Sequence, residues 1–298
     1  MIIPPKLKVG DKIGLISTAR KVSLEELNYS IEIIHSWGLE VVFGKFLFEE
    51  YHQFSGTITQ RVIDLQGMIN DDTINAILCC RGGYGTVQII DKIDFSNLRK
   101  NMKWIIGYSD TTVLHSHLHR IGFATLHATM PINFSNNTPQ SLLSLKKSLF
   151  GIENIIEASP HHFNRSGKVT GEIVGGNLSI LYSLLGSKSD INTEGKILFI
   201  EDLDEYLYHI DRMVINMHRN DKFRNLKGMI IGSMSDMHDN SISFGYTAEA
   251  IIFNYIKEYN FPVCFDFPSG HIDDNRSIKL GVDSVLDINT NGVILSQF

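Results

Sequence analysis

The sequence predicts an α/β protein, with a parallel sheet in its first half and a mixed, β-rich α/β unit in its second. Three observations carry that prediction. Short β-branched runs alternate with segments of helical periodicity. The runs of the first half are apolar almost throughout, as strands covered on both faces require. The chain then closes on strand-like runs, the last two joined at Asn289-Thr290-Asn291-Gly292, a hairpin-turn composition.

Taken in order, Lys12–Ser17 reads as the first strand. Ser23 and Glu26 have capping-box spacing, and Leu24, Leu27, Ile31 and Ile34 mark a helix that ends at Gly38. A strand over Leu39–Phe43, a helix over Thr59–Ile69 and a buried strand over Asn75–Cys80 follow. The loop Arg81-Gly82-Gly83-Tyr84-Gly85 leads into a short helix reaching Lys92. Lys103–Gly107 is the next strand and Asp110–Ile121 the next helix, with Phe123–Ala128 and Gln140–Phe150 completing the series. From Gly151 to Gly171 the pattern loosens, so 151–168 reads as a linker between domains at 1–150 and 169–298. The second domain reads as strand Glu172–Gly175, helix Leu178–Leu185, strand Lys196–Ile200 and a long helix from Asp204 to Arg219. Strand Gly228–Ile231, helix Tyr246–Tyr259 and strands within Val263–Phe267 and Ser277–Phe298 end it.

Composition narrows the function classes. A chain of 298 residues suffices for about two domains. Apolar residues at 43% and charged residues at 20% exclude disorder as a global description. Lys+Arg 27 against Asp+Glu 33 gives a net charge of −6, without the footprint of a nucleic-acid or anionic-membrane binder. No run approaches the ~20 apolar residues of a membrane span. Met1-Ile2-Ile3-Pro4-Pro5-Lys6 lacks the pattern of a secretory signal. Cys79 and Cys80 are two of only three cysteines and sit in an apolar run, so buried thiols in a reducing, cytoplasmic compartment are expected.

Ligands of open parallel sheets sit beyond the carboxyl ends of the strands, and two first-half segments stand there. The loop Arg81–Gly85 follows a buried strand, and its glycines allow close approach of a ligand to backbone N–H groups. It equally suits a tight turn that packs the next helix, and it is neither a Walker A loop nor G-x-G-x-x-G. In Gly107-Tyr108-Ser109-Asp110-Thr111, Ser109 sits on a strand-to-helix turn. There a hydroxyl projects while the following N–H groups point into the same space. Ser109 could instead be a helix N-cap, and Thr111 stands where a G-x-S-x-G elbow has its second glycine.

A serine nucleophile needs a base oriented by a carboxylate. Among twelve histidines, His271 follows the strand Val263–Phe267 on the loop Phe267-Pro268-Ser269-Gly270-His271. A turn histidine is the plain alternative. Glu201 ends the apolar strand Ile197–Ile200, with Asp202 the expected cap of the next helix. His115 and His119 have i,i+4 spacing on one helix but lack a third ligand, so no metal is expected. Ser109, Glu201 and His271 thus share strand-end placement in the order Ser, Glu, His.

These residues carry a resemblance. RGGYG, GYSD, a strand ending in LFIED, and FPSGH, between an opening PPKLKVGDKIGLIS and a closing NRSIKLG, resemble the LD-carboxypeptidases, serine peptidases that trim cell-wall muropeptides. The resemblance implies a flavodoxin- or Rossmann-like N-terminal domain and a smaller, mixed β-rich C-terminal one. It implies Ser109 as nucleophile, His271 as general base and Glu201 as its orienting carboxylate, with an oxyanion hole from the N–H groups of Gly83 and Asp110. It also implies a homodimer without cofactor or metal. The substrate would be the murein tetrapeptide, cut before its terminal D-Ala in peptidoglycan recycling. Arg81 is the candidate for the free carboxylate, or else an arginine tied to loop carbonyls. Three readings stand beside this one: a microcin C-type self-immunity peptidase of the same family, an ordinary α/β-hydrolase acting on esters, weakened by the missing elbow glycine and the split domains, and a non-catalytic small-molecule binding protein.

Overall fold

Each half of the chain builds most of one large sheet in the computed structural model, which describes residues 1–297; Phe298, at the end of the last expected strand, lies outside them. The first half gives β1 (Lys12–Ile16), α1 (Leu24–Ser36), β2 (Glu40–Phe43), a small hairpin of β3 (Glu50–Tyr51) and β4 (Phe54–Ser55), and α2 (Ile58–Asn70). It continues with β5 (Ile74–Cys79), β6 (Trp104–Gly107), α3 (Thr112–Arg120), β7 (Thr125–His127) and α4 (Pro139–Phe150). The second half gives β8 (Asn154–Ala158), β9 (Gly167–Asn177), α5 (Leu178–Ser183), β10 (Ile197–Leu203), α6 (Leu207–Arg219), β11 (Gly228–Ser235) and α7 (Ala248–Ile256). Strands β12 (Val263–Cys264), β13 (Ile278–Leu280), β14 (Asp283–Asn289) and β15 (Gly292–Gln297) end it.

The local signals explain where helices begin. Ser23 accepts from the Glu26 N–H while Glu26 reaches back to the Ser23 N–H, and Thr57 and Gln60 form the same reciprocal box before α2. Gly151, in the left-handed region, stops α4.

In the first sheet the order is β13-β7-β6-β5-β1-β2. Its five parallel strands run β2-β1-β5-β6-β7, the doubly wound order in which the chain reverses direction between β1 and β5. Apolar clusters cover both faces, one beneath α1 and α4 and one beneath α2 and α3. The second sheet runs β12-β11-β10-β9-β14-β15-β8, parallel over its first four strands and antiparallel beyond. Here β9 belongs to both parts, pairing with β10 along its later residues and with β14 along its earlier ones.

Several local expectations change. The stretch read as a linker holds a strand, β8, because Asn154 and Ile156 alternate inward and the run pairs with β15 at the sheet's edge. Two single-turn 3₁₀ segments, Thr86–Gln88 and Ile90–Lys92, replace the short helix after the glycine loop. Strand β10 runs on to Leu203, and α6 starts only after Asp204 has turned through a positive φ. The strand expected over Val263–Phe267 stops at Cys264, short of Asp266 at φ +55°. The three cysteines are buried and unpaired. Among the described residues, no helix is long and apolar enough to cross a membrane.

The halves are joined by specific polar contacts as well as by packing. The antiparallel strand β13 extends the first sheet at β7. Thr112 Oγ1 accepts from the Asn177 N–H at 3.0 Å, and Glu172 binds both His119 and Lys196. Thr138 donates to Asp274 at 2.9 Å. The carboxyl ends of both parallel sets therefore face a common space.

Candidate active site

From the first sheet, β6 delivers Ser109. Gly107 sits at φ +152° and Ser109 at φ +59°, the left-handed region, at the head of a 3₁₀ turn, Ser109–Thr111, that runs into α3. A non-glycine residue held there stores on the order of 1–3 kcal/mol of strain, the price of a hydroxyl thrust away from the sheet. That hydroxyl caps neither the turn nor α3. A Cβ added to Gly107 would lie 2.6 Å from Thr111 Oγ1, so the bare Gly107 makes room for the threonine that replaces the second elbow glycine.

The glycine loop is fastened beside this turn. A Cβ on Gly82 would lie 3.0 Å from Ser109 Cβ and 3.1 Å from its Oγ. Asp110 Oδ2 accepts from the Thr86 N–H at 2.8 Å. The buried Arg61 guanidinium donates to the carbonyls of Thr18 and Gly85 at 2.8 and 3.0 Å, and to Gln88 at 2.7 Å. Burial pushes the Asp110 carboxyl up, against those hydrogen bonds and the Arg61 charge. The backbone of residues 82–86 is thus held at a fixed distance from Ser109.

The second sheet supplies the other two groups. Glu201, fully buried near the end of β10, accepts from His271 Nδ1 at 2.6 Å. This bond leaves Nε2 as the ring's free nitrogen. His271 is fixed through its backbone too: its carbonyl accepts from Ser235 Oγ at 2.9 Å, and the Gly270 N–H donates to Asn275 at 2.9 Å. A Cβ on Gly270, itself at φ +123°, would come within 2.9 Å of Glu201. Burial works to lower the His271 pKa, but the Glu201 charge and hydrogen bond outweigh it, and the net direction is upward. The ring packs at 4.7 Å, centroid to centroid, on Tyr108.

Ser109 and His271 line one cleft of about 480 Å³, although no hydrogen bond joins them directly. Such contacts often tighten only around a bound substrate. Arg20, Arg81, Asp202, Asp204 and Glu205 line the cleft too; Asp204 pairs with His238 and Glu205 with His209. Arg81 donates to the Lys21 carbonyl and pairs with Glu26 at 3.4 Å. Asp202 serves the start of α5, whose N-cap is Asn177, and not α6: its oxygens accept from the Ser179 N–H and from the Asn177 amide. Burial, followed by the Glu201 charge, pushes it up to about 7.

Two family models match the chain: the LD-carboxypeptidase N-terminal domain over residues 13–128 and the LD-carboxypeptidase C-terminal domain over residues 170–286. The chain belongs to the LD-carboxypeptidase family. It is 33% identical to a probable murein peptide carboxypeptidase of Bacillus subtilis, over 95% of this chain and 91% of that protein. It is also 25% identical to the microcin C7 self-immunity protein MccF of Escherichia coli, over 99% and 96% of the two chains. The crystal structure of a muramoyltetrapeptide carboxypeptidase from Oxalobacter formigenes shares the fold, with a TM-score of 0.88 at 22% identity, covering 96% of this chain and 98% of that one.

Of the residues singled out in this LD-carboxypeptidase sequence, Ser109, His271, Gly83 and Arg81 all line the cleft, with Glu201 and Asp110 buried immediately behind it. The histidines of α3 go to separate partners: His115 to the Gly107 carbonyl, His117 to Ser189 and His119 to Glu172. Sequence reasoning passed over Arg20, Tyr108 and Asn177. The signal was present, since Arg20 follows β1 and Asn177 ends β9, but strand-end logic was applied to other strands only.

Proposed function

We propose that this LD-carboxypeptidase family member is a serine peptidase that hydrolyses the amide between an L-centre and a terminal D-amino acid. The carrying observation is the 2.6 Å bond from His271 to the buried Glu201, beside a cleft that also holds the strained Ser109. In this reading, Ser109 Oγ attacks the amide carbon as His271 Nε2 takes its proton. The Gly83 and Asp110 N–H groups hold the oxyanion, each donor worth on the order of 10²–10³ in rate. His271 then protonates the leaving amine, and a water, deprotonated by the same ring, releases the acyl group and restores Ser109. Glu201 fixes the tautomer and stabilises the imidazolium. An exopeptidase needs a cation for the terminal carboxylate, and Arg81 is one candidate.

The murein tetrapeptide suits the polarity of the cleft. Asp204 and Glu205, each also paired with a histidine, favour an ammonium, such as that of a diamino acid at the third position, over the phosphate of an aminoacyl nucleotide. That contrast supports the murein reading above the microcin-type one. Peptidoglycan recycling by a cytoplasmic homodimer belongs to the same reading.

The deciding experiment incubates the protein with a murein tetrapeptide, a pentapeptide and an aminoacyl-sulfamoyl adenosine and follows each by mass spectrometry. Loss of one D-Ala from the tetrapeptide alone is expected. Cleavage of the nucleotide alone would transfer the protein to the self-immunity reading, and failure of Ser109 to react with a fluorophosphonate, with no substrate cut, would favour a binding protein.

A further inference from the structure

Two arginines line the cleft, and they differ in what already holds them. Arg81 donates to the Lys21 carbonyl at 3.2 Å and pairs with Glu26, whose other oxygen is fixed by the Ser23 N–H at 2.7 Å. The Arg20 guanidinium has no hydrogen-bond or ion-pair partner among the described residues, and the residue is exposed to the cleft. Its backbone is nonetheless tied to the glycine loop, since the Arg20 N–H donates to the Gly82 carbonyl at 3.3 Å. We propose that Arg20 is the anchor for the substrate's terminal carboxylate, the residue that confines cleavage to the last amide bond. The proposal rests on the serine-peptidase reading above and gives that site its substrate selectivity.

Spacing along the loop carries the argument. The Gly82 Cα faces Ser109, as a Cβ there would touch the serine side chain. One residue further, a Cβ on Gly83 would lie 2.6 Å from Arg20 Cδ and 2.8 Å from its Nε, so the arginine stem lies across Gly83. That position, at φ +107°, accepts no side chain for both reasons. Successive Cα atoms are about 3.8 Å apart. In a peptide whose leaving group is a single amino acid, the carboxylate carbon lies beyond the scissile carbonyl carbon by a similar span, across one N and one Cα. A substrate carbonyl at Ser109 therefore sets its carboxylate one residue step along the loop, where the Arg20 fork can take it through two parallel hydrogen bonds. Asp204 and Glu205 line the same cleft and disfavour a carboxylate beside them, so the place next to Arg20 is the favoured one.

The test measures kcat/KM of wild type, Arg20→Ala, Arg20→Lys and Arg81→Ala on the tetrapeptide and on its C-terminal amide. A parallel calorimetric titration measures tetrapeptide binding to Ser109→Ala with and without Arg20→Ala. Wild type should prefer the free acid. Arg20→Ala should lose roughly 10- to 100-fold on the acid, the worth of a charge-assisted contact, with the amide changed less than about threefold. Arg20→Lys should recover part of the loss, and Arg81→Ala should lose less than Arg20→Ala. Equal losses of Arg20→Ala on acid and amide, or unweakened tetrapeptide binding in the calorimeter, would overturn the assignment. Unaltered fluorophosphonate labelling and thermal midpoint in Arg20→Ala separate this outcome from damage to the fold. Should wild-type Ser109 fail to label, the peptidase reading falls, while the binding titration still decides the role of Arg20.

Discussion

Ser109 and His271 reach the same cleft from opposite halves, and the two halves hold them differently. On the first sheet, the backbone does the positioning: Ser109 is in a left-handed conformation, Gly107 clears Thr111, and Gly82 packs against the serine. On the second sheet, side chains do it: Glu201 binds the His271 ring, Ser235 its carbonyl, and Asn275 the preceding N–H. A backbone turn fixes where a hydroxyl is, while a carboxylate also fixes what charge a ring carries. Changes near Ser109 should therefore act sterically, and changes near His271 should act through proton affinity.

The sharpest way to break this comparison is to remove the nucleophile. Ser109→Ala should fold with an unchanged or raised thermal midpoint, since the smaller side chain is not part of any cap, and should lower kcat on the tetrapeptide by about 10⁶. Turnover within tenfold of wild type would remove Ser109 from the mechanism. Next comes Glu201→Gln, where a loss of about 10³–10⁴ in kcat is expected if the carboxylate sets tautomer and charge. Its pH profile distinguishes charge from shape. His271 must be neutral to act as base, and Glu201 holds its pKa above the ordinary 6.5. In wild type, kcat/KM should rise with pH through a midpoint above 6.5, and in Glu201→Gln that midpoint should move down. An acid limb that stays put would assign it to another group.

Gly82→Ala probes the steric half. The added Cβ meets Ser109 Cβ at 3.0 Å, so a loss of about 10² in kcat is expected from a displacement below 1 Å. The acid limb should be unmoved, because nothing has changed around the imidazole. A shifted limb would show that the two halves are electrostatically coupled through the loop. The smallest expected effect lies at the joint. Burial alone would raise Glu172, but hydrogen bonds and charge from His119 and Lys196 lower it to about 2. Its share of stability should be complete above pH about 4.5 and lost as the pH falls toward 2. Urea midpoints should fall more steeply across that window in wild type than in Glu172→Gln, and identical slopes would deny the contact any role in joining the halves.

Much of this was legible in the chain because it depends on short-range chemistry. The Ser23–Glu26 box fixed the start of α1, and the apolar runs marked β1, β5, β6 and β10 to within a residue or a few. Ser109, Glu201 and His271 could be singled out since each lies at or beyond the end of a buried apolar run. The errors arose where a distant partner decides. Strand β8 is only half buried, with exposed residues alternating with Asn154 and Ile156, and lacks the continuous apolar run that marks β1 or β6 until β15 lies beside it. Asp202 was expected to cap the helix that follows it, but the α5 N-terminus, at the end of the neighbouring strand β9, claims its oxygens. Arg20 is marked in the sequence only by following β1; its place beside Ser109 is defined by a loop more than sixty residues away.

Periodicity, capping residues and glycine placement determined the succession of strands and helices and the chemical types offered at strand ends, because those depend on neighbours along the backbone. Which of the offered groups meet was decided by the folded chain alone. The choice of Glu201 over Asp202 for the His271 ring, the difference between a pinned Arg81 and an unpaired Arg20, and the gathering of cationic and acidic residues in one cleft all arise from side chains that only the packing of two sheets brings together.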